Sequence, residues 1–187
     1  MGVTITLTNA EVEDLLFLLK DREELKPLAD KLKPSVSNTG TPETPNKPKF
    51  QLGATSLARL KGVHPDLVKV VKRAIELTPI DFTVLEGLRT KERQKQLVAK
   101  GASKTMNSRH ITGHAVDIAP LVDGKVTWDW KYYFPMAEAM RQAAKELNVR
   151  VKWGANWKFL NDSSHKLGPA DMSKSFPDGP HFELERL

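Results

Sequence analysis

The 187-residue chain contains no cysteine. Neither a disulfide nor a thiolate metal site is therefore possible, and a bound metal ion would need histidine and carboxylate ligands. The absence of disulfides fits synthesis in a reducing compartment.

Long apolar runs are missing as well. The N-terminal region offers only the run 15–19 (LLFLL), far short of the roughly 20 apolar residues that span a bilayer. This run follows Glu11, Glu13 and Asp14, whereas a signal peptide has a basic start and a longer apolar core. We therefore expect neither a signal peptide nor stable insertion into a membrane.

The formal net charge is +6. Residues 1–33 contain five basic and seven acidic side chains, so this segment is net −2 and the remainder carries +8. Such an excess favours an anionic partner: nucleic acid, a membrane surface or the bacterial cell wall. The basic residues are scattered and form no nucleic-acid-binding motif, so we expect no nucleic-acid partner. An ordinary lysine-rich surface is the alternative explanation.

Composition divides the chain into three segments. Residues 1–33 predict a short N-terminal helical arm of unknown role, with Thr8 and Glu11 as a possible capping box. Residues 34–49 contain four prolines among Ser, Thr, Asn and Gly, which predicts an extended linker. Residues 50–187 then form the globular domain.

Periodicity and capping residues predict an α+β domain with helices packed on a small, mainly antiparallel sheet. Pro65 suits the first position of a helix, Thr90 caps a second helix that ends at Gly101, and a third covers 136–147. The predicted strands are 80–85, 113–119, 149–153 and 181–184.

Side-chain alternation within two of these strands sorts the candidate ligands. Asp117 lies on the opposite face from His114, and His181 shares a face with Glu183. If the two strands are neighbours, Asp117 and His181 converge, with His110 reaching in from the preceding loop, and His114 is structural. Two imidazoles and one carboxylate are a ligand set typical of hydrolytic zinc, with a fourth position left for water. A hydrogen-bonded polar set without metal is the alternative.

The domain resembles one known family throughout residues 50–187. Matching motifs are Gly62-Val63-His64-Pro65-Asp66-Leu67, Glu86-Gly87-Leu88-Arg89-Thr90, Ser108-Arg109-His110, Gly113-His114-Ala115-Val116-Asp117, Trp153-Gly154-Ala155-Asn156-Trp157 and Asp178-Gly179-Pro180-His181-Phe182-Glu183. They resemble the zinc peptidases that include VanY-like D-alanyl-D-alanine carboxypeptidases and VanX-like dipeptidases. The similarity is closest to the phage endolysin branch, the L-alanyl-D-glutamate peptidases. It implies a hedgehog/D,D-peptidase-like fold.

The resemblance also assigns roles. It implies zinc (Zn2+) bound by His110, Asp117 and His181, which are the metal residues of the family pattern. Asp178 matches the catalytic carboxylate that exchanges a proton with water and the leaving amine. Arg89 matches an arginine that holds substrate and stabilises the oxyanion. Glu183 is a competing base because it shares a strand face with His181.

Three further residues are candidate substrate contacts. Ser108 either contacts the substrate or supports the His110 loop. Trp153 and Trp157 either wall the cleft or belong to the core. Family members often have Gly and Asp where this chain has Ala155 and Asn156. This difference affects the contacts expected with substrate, but it does not change the expected metal ligands.

The expected function is that of an endolysin that hydrolyses the L-alanyl-D-glutamate bond of peptidoglycan stem peptides. A D-alanyl-D-alanine carboxypeptidase or dipeptidase with the same metal site is one alternative, and a non-catalytic, zinc-stabilised wall-binding module is another. The expected partner is bacterial peptidoglycan and the expected state is a monomer. We expect the protein to collect in the host cytoplasm and to reach the wall through holin-type pores.

Overall fold

The structure is a computed structural model, and it describes residues 49–162 and 164–185. The predicted arm (1–33) and all but the last residue of the predicted linker (34–49) lie outside the described residues. Those two assignments therefore stay predictions.

The described residues form four helices and six short strands. In chain order these are α1 (Ala54–Arg59), α2 (Pro65–Leu77), β1 (Phe82–Glu86), α3 (Lys91–Ala99), β2 (Ala115–Val122), β3 (Lys125–Val126), α4 (Trp130–Glu146), β4 (Val151–Trp153), β5 (Lys158–Phe159) and β6 (His181–Leu184). Short 3₁₀ turns lie at Arg109–Thr112, Leu160–Asp162 and Pro169–Asp171. No helix in this described part is long and apolar enough to cross a bilayer.

The strands form one antiparallel sheet in the order β1-β2-β6-β4-β5, with β3 paired to β2. Residues distant in sequence therefore become neighbours at its centre, where β2 pairs with the C-terminal strand β6. The predicted α+β class with a small, mainly antiparallel sheet is confirmed.

Helices α2 and α4 supply much of the hydrophobic core. Their apolar stripes include Leu67, Val71 and Met140, which are fully buried together with Val116 and Phe182 of the sheet. Burial of these side chains is the main favourable contribution to folding. The core thus lies on one face of the sheet. The alternate side chains of β2 and β6 lie on the other face, outside this core.

Helix α4 begins six residues before the predicted start at Met136, so that prediction was wrong. Pro135 lies inside the helix, although proline lacks the N–H that an interior position donates. In the structure Asp129 caps the helix, its Oδ1 accepting from the Lys131 N–H at 3.1 Å. Burial of Tyr133 one turn later extends the apolar face across the proline. The predicted end is confirmed: Asn148 follows the helix with a left-handed φ of 52°.

Candidate active site

The sheet places two of the predicted ligands side by side. Asp117 of β2 is paired directly with His181 of β6. Phe182 and Leu184, the neighbours of opposite parity, are buried in the core. His110 comes from the 3₁₀ turn before β2 and is also buried. The structure therefore brings all three predicted ligands together.

The three side chains offer ligand atoms close enough for one ion. His110 Nε2 lies 3.1 Å from Asp117 Oδ1 and 3.2 Å from His181 Nδ1, and His181 Nδ1 lies 3.1 Å from Asp117 Oδ1. Ligand atoms bonded to one tetrahedral zinc at its usual bond lengths lie roughly 3.3 Å apart. Among the described residues, these three form a group whose ligand atoms lie close enough together to hold a metal ion.

The outer nitrogen of each histidine faces an oxygen acceptor. His110 Nδ1 lies 2.7 Å from the Gly87 carbonyl oxygen, and His181 Nε2 lies 3.3 Å from Glu183 Oε2. An outer N–H that donates to these oxygens leaves the inner nitrogen with its lone pair toward the cluster. This arrangement selects the tautomers that metal binding requires.

Burial and hydrogen bonding shift the pKa values in the cluster. Burial alone would raise the pKa of Asp117, but its close contacts with the imidazoles of His110 and His181 outweigh that effect and hold the pKa well below its usual range. Burial alone would lower the pKa of His181, but hydrogen bonds to Asp117 and Glu183 raise it to about 9. Without a metal ion the cluster therefore retains a proton on His181 beside an anionic Asp117.

The loop that carries His110 is fixed by local contacts. Ser108 Oγ accepts from the His110 N–H at 3.4 Å, so Ser108 supports this loop while it also lines the adjoining cavity. Gly113 ends the turn with a φ of 70°, and a Cβ there would lie 2.3 Å from the Gly62 carbonyl oxygen. Glycine is therefore required at this position on two grounds.

Asp178 lies on the turn that leads into β6. Its backbone N–H donates to the Gly154 carbonyl at 3.0 Å, and a Cβ on Gly154 would come within 3.0 Å of the Asp178 Cβ. The Trp153 indole N–H donates to the Gly179 carbonyl at 2.8 Å. Trp153 is fully buried and stacks on Phe182, so the core alternative holds for it, and the idea that it walls the cleft was wrong.

The two candidate bases differ in their environment. Burial, followed by the negative charge of Asp117, raises the pKa of Asp178. Burial also acts to raise the pKa of Glu183, but the hydrogen bond and charge of His181, together with Lys152, bring it below the usual range. Both carboxyl groups line the cavity. Glu183 is hydrogen-bonded to His181, whereas the carboxyl of Asp178 takes up a proton more readily.

Arg89 lies beside the cluster in a network of hydrogen bonds. Its Nη2 contacts Glu86 Oε2 at 2.6 Å and Asp117 Oδ2 at 3.3 Å, and its Nη1 donates to Gln94 Oε1 at 2.8 Å. The side chain is almost fully buried yet lines the cavity. Sequence reasoning did not identify Glu86 and Gln94 as partners of Arg89. Glu86 ends β1 and Arg89 lies in the following loop, so their three-residue spacing is not the helical spacing that indicates an ion pair.

A cavity of about 570 Å³ opens onto the cluster. His110, Asp117, His181, Asp178, Arg89 and Ser108 all line it. On its rim are three exposed aromatic side chains, Trp128, Trp157 and Phe176. Trp128 and Phe176 were not predicted, since nothing in their sequence context separates them from ordinary surface residues.

Trp157 is held in an unfavourable backbone conformation at this rim. Its φ is 58°, a left-handed value that is costly for a bulky residue. The indole N–H donates to the Phe176 carbonyl at 2.7 Å, and the ring centroid lies 5.5 Å from that of His181. Such strain in a cavity wall is typical of functional positions.

His114 lies apart from the cluster. Its Nδ1 lies 2.7 Å from the Thr112 carbonyl oxygen, and its ring centroid is 5.0 Å from that of His64. The prediction that it faces away from Asp117 agrees with this placement.

A family model and two curated relatives that match this chain all carry the same description. A family model described as phage L-alanyl-D-glutamate peptidase matches residues 48–185. The L-alanyl-D-glutamate peptidase of Escherichia phage T5 is 37% identical over 139 residues, which cover 72% of this chain and 98% of that protein. The enzyme of the same name from Listeria phage A118 is 36% identical over 90 residues, which are 48% of this chain and 31% of that protein.

A solved structure agrees with this assignment. The crystal structure of the Serratia marcescens L-Ala D-Glu endopeptidase ChiX aligns with a TM-score of 0.61 and 41% identity, covering 73% of this chain and 90% of that one. The chain therefore belongs to the phage L-alanyl-D-glutamate peptidase family.

Proposed function

We propose that this protein is a phage endolysin, a zinc-dependent endopeptidase that hydrolyses the L-alanyl-D-glutamate bond of peptidoglycan stem peptides. The observation that carries the proposal is the convergence of His110, Asp117 and His181 in one cavity with Asp178. Membership of the family adds the bond, which is named in the descriptions of the relatives.

The donor chemistry favours zinc over other divalent ions. Two imidazoles and one carboxylate form a three-ligand set of the kind found in hydrolytic zinc sites, whereas calcium and magnesium prefer oxygen ligands throughout. His110, Asp117 and His181 would hold the ion. When bound, zinc supplies Lewis acidity that polarises the scissile carbonyl and lowers the pKa of water.

Asp178 is the proposed general base and acid. Its carboxylate accepts a proton from the attacking water and later donates it to the leaving amine of D-glutamate. A raised pKa suits both steps, because the group must hold the proton between them. Glu183 does not compete for this role in the proposal, because it is hydrogen-bonded to His181 and paired with Lys152.

Arg89 is proposed to stabilise the negative charge that develops on the carbonyl oxygen. A guanidinium stays protonated at every relevant pH and offers several N–H donors in a fixed plane. Its partners in the network fix it next to the ligand cluster before substrate arrives. Trp157 is proposed as a substrate-contacting wall of the same cavity.

The proposed partner is the anionic peptidoglycan of the bacterial host, which the net charge of +6 favours. A monomeric state and release from the host cytoplasm through holin-type pores stay predictions.

The test is digestion of purified sacculi followed by mass analysis of the released peptides. Cleavage between L-alanine and D-glutamate is the expected result. Release of terminal D-alanine or its dipeptide would instead indicate the D,D-peptidase alternative. Binding to sacculi without any release of peptide would indicate a wall-binding module.

A variant of Asp178 tests the mechanism within the same assay. Asp178→Asn is expected to lower turnover by about 10²–10⁴-fold while the zinc content stays at the wild-type level. Asp123→Asn is the matched control, because Asp123 is exposed in the β2–β3 turn and has a left-handed φ that asparagine tolerates. Near-normal turnover of Asp178→Asn would overturn the assigned base.

A further inference from the structure

Helix α3 buries a single side chain, and that side chain is polar. The helix, with the sequence KERQKQLVA, is strongly charged, and Gln94 is its one buried residue. Gln94 is fully buried. An amide is costly to bury unless its hydrogen-bonding groups are paired, whereas leucine would fill the site at no such cost. The helix therefore places an amide where packing alone would favour an apolar residue.

The amide of Gln94 is fully engaged in directed hydrogen bonds. Oε1 accepts from Arg89 Nη1 at 2.8 Å, and Nε2 donates to Ser103 Oγ at 2.8 Å and to the Thr105 carbonyl at 2.6 Å. Arginine has only donors and a backbone carbonyl only accepts, so only one orientation of the amide satisfies both neighbours. Gln94 thus joins Arg89 to the segment 103–105.

Both ends of this bridge line the catalytic cavity, but Gln94 itself does not. Arg89, Ser103 and Thr105 contribute to the cavity wall. Gln94 can therefore influence the proposed reaction only through the cavity-lining residues to which it is hydrogen-bonded.

Gln94 also differs from the other side chains that hold Arg89. The carboxylates of Glu86 and Asp117 both pair with Nη2 of Arg89, and each attracts the guanidinium by its negative charge. Gln94 is neutral and holds Nη1 on the opposite branch of the guanidinium. Gln94 can therefore fix the orientation of the guanidinium without adding a third negative charge that would offset the charge of Arg89.

We propose that Gln94 is a positioning residue, which keeps the guanidinium of Arg89 oriented into the cavity and couples that orientation to the wall segment 103–105. The proposal rests on the role of Arg89 given under Proposed function. Without Gln94, Nη1 is free to turn toward Glu86, and the guanidinium pairs with carboxylate at the expense of the developing oxyanion. A small displacement of such a group is enough to lower the rate by about a hundredfold.

The experiment is a double-mutant cycle on turnover of purified sacculi, with the zinc-loaded full-length chain. Gln94→Met keeps the length of the side chain and removes its hydrogen bonds, and Arg89→Lys keeps the charge and removes the forked donors. Gln96→Met on the exposed face of the same helix is the matched control. Zinc content and thermal midpoint are measured for each variant to verify folding.

The expected result is a fall in kcat of about tenfold to a hundredfold for Gln94→Met. KM should stay within about twofold, because an interaction made mainly in the transition state affects kcat. Gln94→Met should add almost nothing in the Arg89→Lys background, and Gln96→Met should behave as wild type. Effects of Gln94→Met and Arg89→Lys that multiply, or a change confined to KM, would overturn the proposal.

If Gln94→Met does not fold, the same cycle is run with Ser103→Ala, which removes one acceptor of the amide at the surface end of the bridge. A loss of kcat that disappears in the Arg89→Lys background supports the proposal, and a normal kcat or a multiplicative loss overturns it. Failure of the proposed function is separately visible, because mass analysis of the wild-type digest reports the bond cut while the cycle needs only turnover.

Discussion

The chain contains two groups with the same chemical composition, and only one has the geometry of a metal site. The ligand cluster consists of His110, His181 and Asp117, with side chains 1%, 10% and 19% exposed and ligand atoms 3.1–3.2 Å apart. The second group consists of His64 and Asp66 at the start of α2, with His114 just before β2. Its imidazole centroids lie 5.0 Å apart, about the same as the 5.1 Å between the rings of His110 and His181, but its His64 and Asp66 side chains are far more exposed, at 38% and 45%.

The two groups differ in which other residues bind their imidazole nitrogens and their carboxylate. In the second group, His64 Nδ1 accepts from the Asp66 N–H at 3.3 Å as the cap of α2, and the Asp66 carboxylate pairs with Lys69 at 2.9 Å. In the ligand cluster, the outer nitrogens face Gly87 and Glu183, so the inner atoms remain available to one another. Two histidines and an aspartate become a metal site only when surrounding groups orient their ligand atoms toward one point and do not bind those atoms themselves.

The largest expected effect comes from the same substitution made in both groups. Asp117→Asn removes the anionic ligand, so we expect loss of stoichiometric zinc and no measurable hydrolysis of sacculi. Asp66→Asn, its matched control, should retain both, since it removes only an exposed ion pair with Lys69. Elemental analysis after dialysis, with digestion of sacculi, measures both. Retained zinc and activity in Asp117→Asn would refute the proposed ligand set.

The next effect concerns the acceptor behind His181. Glu183→Ala should weaken zinc binding by about 10–100-fold, the usual cost of losing a hydrogen-bond partner of a ligating histidine. Glu185→Ala is the control, because Glu185 follows the same strand and pairs with Arg150 instead. Competition with a chelator gives the affinities. Abolished turnover at unchanged affinity would make Glu183 the base in place of Asp178.

Acidification should weaken zinc binding by a smaller, graded amount. The pKa of His181 in the metal-free protein is raised to about 9, so the ring is protonated at neutral pH and must lose that proton to bind zinc. Affinity should therefore rise about tenfold per pH unit toward pH 9 and fall as the pH is lowered. Calorimetry in buffers of different ionisation enthalpy should show about one proton released per zinc at roughly pH 7. Binding without proton release would contradict this ionisation state.

Features set by local periodicity could be predicted from the sequence. The two-residue period of strands placed Asp117 opposite His114 and placed His181 on one face with Glu183, and capping residues located α2 and α3. That Asp117 and His181 converge depended on the pairing of their strands, which the structure shows. The family resemblance supplied Asp178 and Arg89, which the structure places on the same cavity.

Features set by contacts between distant segments could not be predicted in this way. Trp153 stacks on Phe182 in the core, and its indole N–H donates to the carbonyl of Gly179, 26 residues later in the chain. The role of Gln94 depends on a turn nine to eleven residues later in the chain. Neither partner can be recognised from the residues next to it in sequence.

The smallest expected effect tests whether the second group has only a structural role. His64→Ala removes the cap of α2 and should lower the free energy of unfolding by roughly 0.5–1 kcal/mol, measured by denaturant titration. Zinc content and hydrolysis of sacculi should not change, because His64 does not line the catalytic cavity. His114→Ala is the comparison, since it removes the neighbouring ring without touching the cap. If either variant lost zinc or activity while remaining folded, the second group would be coupled to the ligand cluster through Gly113, whose carbonyl accepts from the His64 N–H at 2.7 Å. Unchanged zinc content and activity in both would show that the second group takes no part in the chemistry of the ligand cluster.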